Sequence, residues 1–154
     1  MKNDNSLHKP EPSLWNELNF HPSPTQLKQF KLFQTLLKSL NNQINLTRLL
    51  NGDDYWVLQV FDSLWPFKRE LNEQELKLKL IDIGSGCGFP GLAIAIALPK
   101  SKVTLIEAIQ KKKEALEFII KELNLDSRVN VRNERAEETG QNILYRGRFD
   151  IAMA

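Results

Sequence analysis

Two carboxylates, with a run of glycines between them, are the residues whose types and spacing can do chemistry in this chain. The stretch reads Asp82-Ile83-Gly84-Ser85-Gly86-Cys87-Gly88, and Glu107 follows 23 residues after Gly84. Glycine lets a backbone turn tightly and come close to a ligand where a β-carbon would clash. A helix opening after such a turn offers N–H groups without intrahelical partners. An acidic residue at the end of the next strand can accept both hydroxyls of a ribose. Together these features point to a nucleoside-containing cofactor; the alternative is a tight turn that holds no ligand.

The spacing separates two such cofactors. A nicotinamide dinucleotide seats its pyrophosphate on the helix N-terminus and uses Gly-x-Gly-x-x-Gly. Here the glycines run Gly-x-Gly-x-Gly, with Asp82 two residues upstream. A carboxylate facing the turn repels phosphate and suits a cation. S-adenosylmethionine carries a sulfonium and an ammonium and no phosphate, so charge favours it, on the condition that Asp82 points toward the ligand.

The elements that must position these residues are legible around them. Leu76, Leu78 and Leu80 alternate with lysines from Glu75 onward, then the chain becomes apolar apart from Asp82, as for a strand entering a buried parallel sheet. Residues 92–98 are apolar throughout; their position after the glycines and Pro90 predicts a buried helix. Residues 103–107 form a second strand and 111–124 an amphipathic helix with Leu116, Ile119, Ile120 and Leu123 inward. Glu117 and Lys121 are spaced to pair on it. Residues 128–132 and 149–154 read as third and fourth strands. Upstream, Ser23-Pro24-Thr25-Gln26 is a capping box with proline at the first helical position, and Leu27, Phe30, Phe33, Leu37, Leu40 and Ile44 give one apolar face. A second, aromatic-rich segment starts at Asp53 or Asp54 and ends at Pro66. Its aromatics read as packing between helices, with an RNA-contacting platform as the alternative.

Composition bounds the rest. The chain has 154 residues, 42% hydrophobic and 26% charged, enough for one small core. The net charge of +2 does not mark a strongly basic nucleic-acid binder, although a local patch is compatible with it. One cysteine, Cys87, forbids an intramolecular disulfide and fits a reducing compartment. The polar first residues carry no apolar signal core, and no apolar run spans a bilayer, so the expectation is a cytoplasmic protein without a membrane partner. His8 and His21 lie in polar, proline-rich segments, and no metal-ligand spacing occurs.

The stretch Leu80-Ile-Asp-Ile-Gly-Ser-Gly-Cys-Gly-Phe-Pro-Gly91 resembles the signature of the ribosomal RNA small subunit methyltransferase G family, also called glucose-inhibited division protein B. Phe89-Pro90-Gly91 directly after the glycines is its distinctive part. Asn45-Leu46-Thr47, Asp62-Ser63-Leu64 and Arg135-Ala136-Glu137-Glu138 match the same family, so the resemblance covers residues 27–154. It implies an α/β, Rossmann-like S-adenosylmethionine-dependent methyltransferase fold with an N-terminal helical extension. It also implies methyl transfer to guanine N7 of 16S rRNA, with the small ribosomal subunit as partner. Carried over residue by residue, Gly84 and Phe89 border the cofactor, Glu107 holds the ribose, and Ala136 and Glu137 contact the adenine region. N7 has an available lone pair, so no catalytic residue is assigned, and Cys87 is not read as a nucleophile. Lys111, Lys112 and Lys113, like Arg146 and Arg148, read as a solvated face, with rRNA phosphate as the alternative.

Two departures from the family stand out. Gln59 occupies a position where the family usually has histidine. The family also has an arginine directly after the fourth strand, followed by further strands and helices, where this sequence stops at Ala154. The expectation is a sheet of about four strands, incomplete at the C-terminus, with an open edge. The domain reading is a flexible 1–22, a helical extension over 23–72 and a truncated cofactor-binding domain over 73–154. An inactive truncated remnant and an NAD(P)-binding oxidoreductase domain are the competing readings.

Overall fold

In the computed structural model, which describes residues 12–154, four parallel strands form one sheet in the order β3-β2-β1-β4. The central strand β1, Lys79–Ile83, pairs with β2, Lys102–Ile106, on one side and with β4, Ile151–Met153, on the other. β3, Val129–Arg132, lies outside β2. Leu80, Ile81 and Asp82 are successively buried, as expected for a strand covered on both faces. β1 begins later than the alternation from Glu75 suggests. Ser101 explains this: its hydroxyl donates to the Leu76 carbonyl at 3.2 Å and accepts from the Leu78 N–H at 3.2 Å. A side chain thus takes the bonds that a neighbouring strand would supply.

Helix α5, Gly91–Ala97, connects β1 to β2, and every residue in it is buried, as its position after the glycines and Pro90 predicts. Helix α6, Gln110–Glu122, buries Ala115, Leu116, Ile119 and Ile120 and leads to β3. Glu117 on α6 pairs with Lys113, one turn before it, rather than with Lys121. The short helix α7, Ala136–Gln141, precedes β4. The connections step outward from β1 through β2 to β3, and β4 then returns to the far side of β1. Chain direction across the sheet therefore reverses between β1 and β4, which in open α/β sheets is where ligands settle at the carboxyl ends of the strands.

The helical extension packs against α5. Helix α2, Pro24–Asn41, has the expected capping box: the Ser23 hydroxyl accepts from the Gln26 N–H at 3.2 Å, and the Gln26 side chain accepts from the Ser23 N–H at 2.8 Å. The same Gln26 carboxamide donates to the Ile96 and Ala97 carbonyls at 3.0 and 3.1 Å, joining the start of α2 to the end of α5. The aromatic-rich segment starts at Asn51 rather than at Asp53 or Asp54; both aspartates lie in the first turn of α3, Gly52–Tyr55. A π-helix, Trp56–Phe61, follows, then α4, Asp62–Leu64, and a 3-10 turn, Trp65–Phe67, that contains Pro66.

The described part of the N-terminal segment, residues 12–22, packs on the helical extension. Helix α1, Pro12–Glu17, and the turn after it bury Trp15, Leu18 and Phe20. The Trp15 ring lies 5.9 Å from Phe20, 5.9 Å from Phe30 and 6.2 Å from Trp56. These three side chains, with Leu14 partly buried beside them, are enough to anchor the stretch, because each fills space between helices that water cannot use. Residues 1–11 lie outside the described residues. Among the described residues, no helix is long and apolar enough to cross a membrane.

Candidate functional site

The glycine turn leaves β1 with three residues in the left-handed region: Gly84 at φ +80°, Gly86 at +56° and Gly88 at +101°. Two of these glycines have different reasons to be glycine. A β-carbon on Gly88 would stand 2.6 Å from the Leu92 side chain and 3.1 Å from the Phe33 ring, so the protein's own packing excludes it. A β-carbon on Gly84 would meet nothing within 4 Å, and Gly84 is exposed. At Gly84 the missing side chain leaves open space at the carboxyl edge of the sheet, which a ligand can use. The turn is pinned to β2 by the N–H groups of Gly84 and Ser85, which both donate to the Ile106 carbonyl at 2.9 Å.

Glu107 follows β2 directly and is 6% exposed. One carboxylate oxygen accepts from the Gly86 N–H at 2.9 Å and the other from the Ile109 N–H at 2.8 Å. The strand-end carboxylate is therefore locked to the glycine turn. Each of its oxygens has used one of its two lone-pair positions, leaving acceptor capacity for a diol. Asn133, just beyond β3, donates to the Glu107 and Ala108 carbonyls at 2.8 and 2.9 Å. Sequence reasoning passed over Asn133, and a single asparagine after a strand carries no distinctive signal.

The sequence leaves the direction of Asp82 open. In the structure its carboxylate is buried against the start of α5 and is not open to a ligand. It is 1% exposed and accepts from the Gly91 N–H, the first residue of α5, at 3.0 Å. A β-carbon on Gly91 would stand 2.6 Å from this carboxylate and collide with Leu105, so the glycine is what admits the acid to the helix start. Burial pushes the Asp82 carboxyl up to about 6, against the opposing pull of the bonds from Gly91 and Ser85, with Glu107 adding to the rise. Asp82 therefore does not meet a cationic ligand directly; it disfavours phosphate by occupying the α5 N-terminus, where a pyrophosphate would sit.

The remaining predicted positions fall on two sides of the turn. Ala136 and Glu137 open α7, three residues beyond Asn133, and both are exposed. Phe89 is half-buried and stacks on Phe33 at 4.8 Å, with the Tyr55 ring edge-on at 5.9 Å. Phe89 and Pro90 also line a cavity of about 520 Å³ shared with Ser63, Phe67 and the end of β4. Cys87 is half-buried, and burial pushes its thiol up, partly offset by bonds that include one from Gln59 and by the charge of Lys112. Lys111 is exposed and Lys112 half-buried. No cluster of three metal-ligating side chains occurs among the described residues.

A family model described as rRNA small subunit methyltransferase G matches residues 26–154. The chain belongs to this family. Proteins named ribosomal RNA small subunit methyltransferase G are similar to it along its length: one from Prochlorococcus marinus (strain MIT 9303) is 52% identical over 154 residues, covering 100% of this chain and 62% of the relative. Another, from Prochlorococcus marinus (strain NATL2A), is 55% identical over 141 residues, covering 92% of this chain and 57% of the relative. The chain thus spans about three fifths of the length of these methyltransferase G relatives. Among solved structures, coclaurine N-methyltransferase bound to N-methylheliamine and SAH aligns with a TM-score of 0.41 at 17% identity, covering 79% of this chain and 43% of that one.

Proposed function

We propose that this chain forms the cofactor-binding part of an S-adenosylmethionine-dependent methyltransferase that modifies guanine N7 in 16S rRNA. The observation that carries the reading is the carboxylate of Glu107, bonded to Gly86 of the glycine turn and to Ile109, beside open space at Gly84. The cofactor supplies an electrophilic methyl group on a sulfonium. Glu107 accepts the ribose hydroxyls with the lone pairs its backbone partners leave free. Gly84 lets the chain approach the ligand closely, and Ala136 and Glu137 border the adenine.

Guanine N7 attacks with an existing lone pair, so the protein needs no general base; its part is to hold the acceptor in line and exclude water. The cavity lined by Phe89, Pro90 and the end of β4 offers a space through which an acceptor base would enter. Family membership supports rRNA as the substrate class. The small ribosomal subunit as the docking partner, and the cytoplasm as the compartment, follow from that substrate.

Calorimetric titration with S-adenosylmethionine and with NAD tests the reading. Saturable binding of the first alone is expected; binding of NAD alone, or of neither, overturns it. Glu107→Gln is expected to weaken S-adenosylmethionine binding by about tenfold or more, the order of a lost hydrogen bond to a charged group. Methyl transfer is then read separately, as label incorporated into 16S rRNA.

A further inference from the structure

The π-helix Trp56–Phe61 turns Gln59 inward, to 8% exposure. Such widened turns are frequent at functional positions. The Gln59 carboxamide nitrogen has two hydrogens. One points to the Thr47 hydroxyl oxygen at 2.9 Å, and the other reaches the Cys87 sulfur at 3.9 Å. The Thr47 oxygen also accepts from the Leu49 N–H at 3.1 Å, which fixes the loop that carries it. The Ser63 hydroxyl donates to the Gln59 carbonyl and steadies the widened turn from below. Cys87 lies between Gly86, whose N–H is held by Glu107, and Gly88, which has no room for a side chain. A side chain of the helical extension therefore grips the middle of the glycine turn.

We infer that Gln59 is a positioning residue for cofactor binding: through Cys87, with Thr47 as its anchor, it holds the glycine turn in the shape that presents Gly84 and Glu107 to the ligand. This rests on the reading of the turn as the cofactor site. The extension is then part of the cofactor site.

The test is a double-mutant cycle read in S-adenosylmethionine affinity. Gln59→Leu keeps the volume and removes the donor. It should weaken binding by about three- to tenfold, the effect of one neutral hydrogen bond. Cys87→Ala should weaken it similarly, and the double variant no further than either alone, because partners in one contact are not additive. Independent, multiplying effects, or no effect of Gln59→Leu, overturn the inference. Thr47→Val leaves the core in place and frees the Gln59 amide, so it should reproduce part of the loss even where Gln59→Leu folds poorly.

A second readout does not need the cofactor. Cys87 is the only cysteine, so alkylation by iodoacetamide reports on it alone. An N–H donor favours the thiolate. Gln59→Leu and Thr47→Val should therefore move the pH midpoint of alkylation upward, and an unchanged midpoint in both overturns the contact. If the parent chain binds no S-adenosylmethionine while the midpoint still moves, the functional reading has failed and the Gln59–Cys87 contact stands.

Discussion

The part of the molecule around β1 and β2 and the part from Asn133 to the end are held together in different ways. In the first, Leu80, Leu92, Leu105, Leu116 and Ile119 exclude solvent completely, and α2, α5 and α6 close over them. In residues 133–154, Thr139 alone is buried, while Ile143 and Leu144 are 80% and 70% exposed. This second part rests mainly on hydrogen bonds, with Ile151 and Met153 only partly buried against the core. Glu134 accepts from the Thr139 and Tyr145 hydroxyls at 3.2 and 3.1 Å. Asp150 accepts from the Lys79 N–H at 2.7 Å and returns its own N–H to the Lys79 carbonyl at 2.8 Å. Packing gives the first part an order that resists local opening, whereas exposed hydrogen bonds give the second an order that opens more easily. The candidate site spans the two: Gly84 and Glu107 belong to the first, Ala136 and Glu137 to the second.

Substitutions can break or sharpen this contrast. The largest effect is expected from Phe33→Ala, which removes a fully buried ring that supports both Gly88 and Phe89; urea unfolding should show a loss of about 3–5 kcal/mol. Asp82 comes next. Its folded-state acidity is weaker than in an open chain, so its neutral form stabilises the fold fully below about pH 4, and that contribution is lost as pH rises to about 6. The difference in stability between pH 4 and pH 7 from this group is about 2–3 kcal/mol. Asp82→Asn should cancel that slope when the unfolding curves of the two proteins are subtracted across this range. In the polar region, Asp150→Ala should cost only about 1 kcal/mol, through the bond to Lys79, and should speed hydrogen exchange at β4 more than at β2. Leu144→Ala should change the melting free energy by less than about 0.5 kcal/mol. Comparable costs for Phe33→Ala and Leu144→Ala would erase the distinction.

Much of this architecture could be read from the residues because local signals agreed with one another. The box at Ser23 and Gln26, the strand-glycine-helix order after Leu80 and the stripe on α6 each state one structure. The unread parts depend on partners distant in sequence. Trp15, Leu18 and Phe20 are a weak pattern until α2 and Trp56 are beside them. The π-helix is dictated by its packing environment, and nothing in Trp56-Val57-Leu58-Gln59 announces the extra residue in the turn. Glu107 could be placed at the strand end, but its bond to Gly86 required the turn's three-dimensional path. The direction of Asp82 stays open in the sequence because its neighbours along the chain cannot reveal that the N–H of Gly91 folds back against it.

Residues 82, 91 and 105 come from a strand, a helix and the adjacent strand, yet they compete for one small volume. That competition limits the order in which mutations can accumulate. A methyl group at 91 becomes tolerable only after the residues at 82 and 105 have shrunk, and each shrinking step taken first leaves a void. Variants recovered from a library randomised at all three places should therefore change as linked sets, and the absence of such linkage would mean that the backbone yields more readily than this crowding implies.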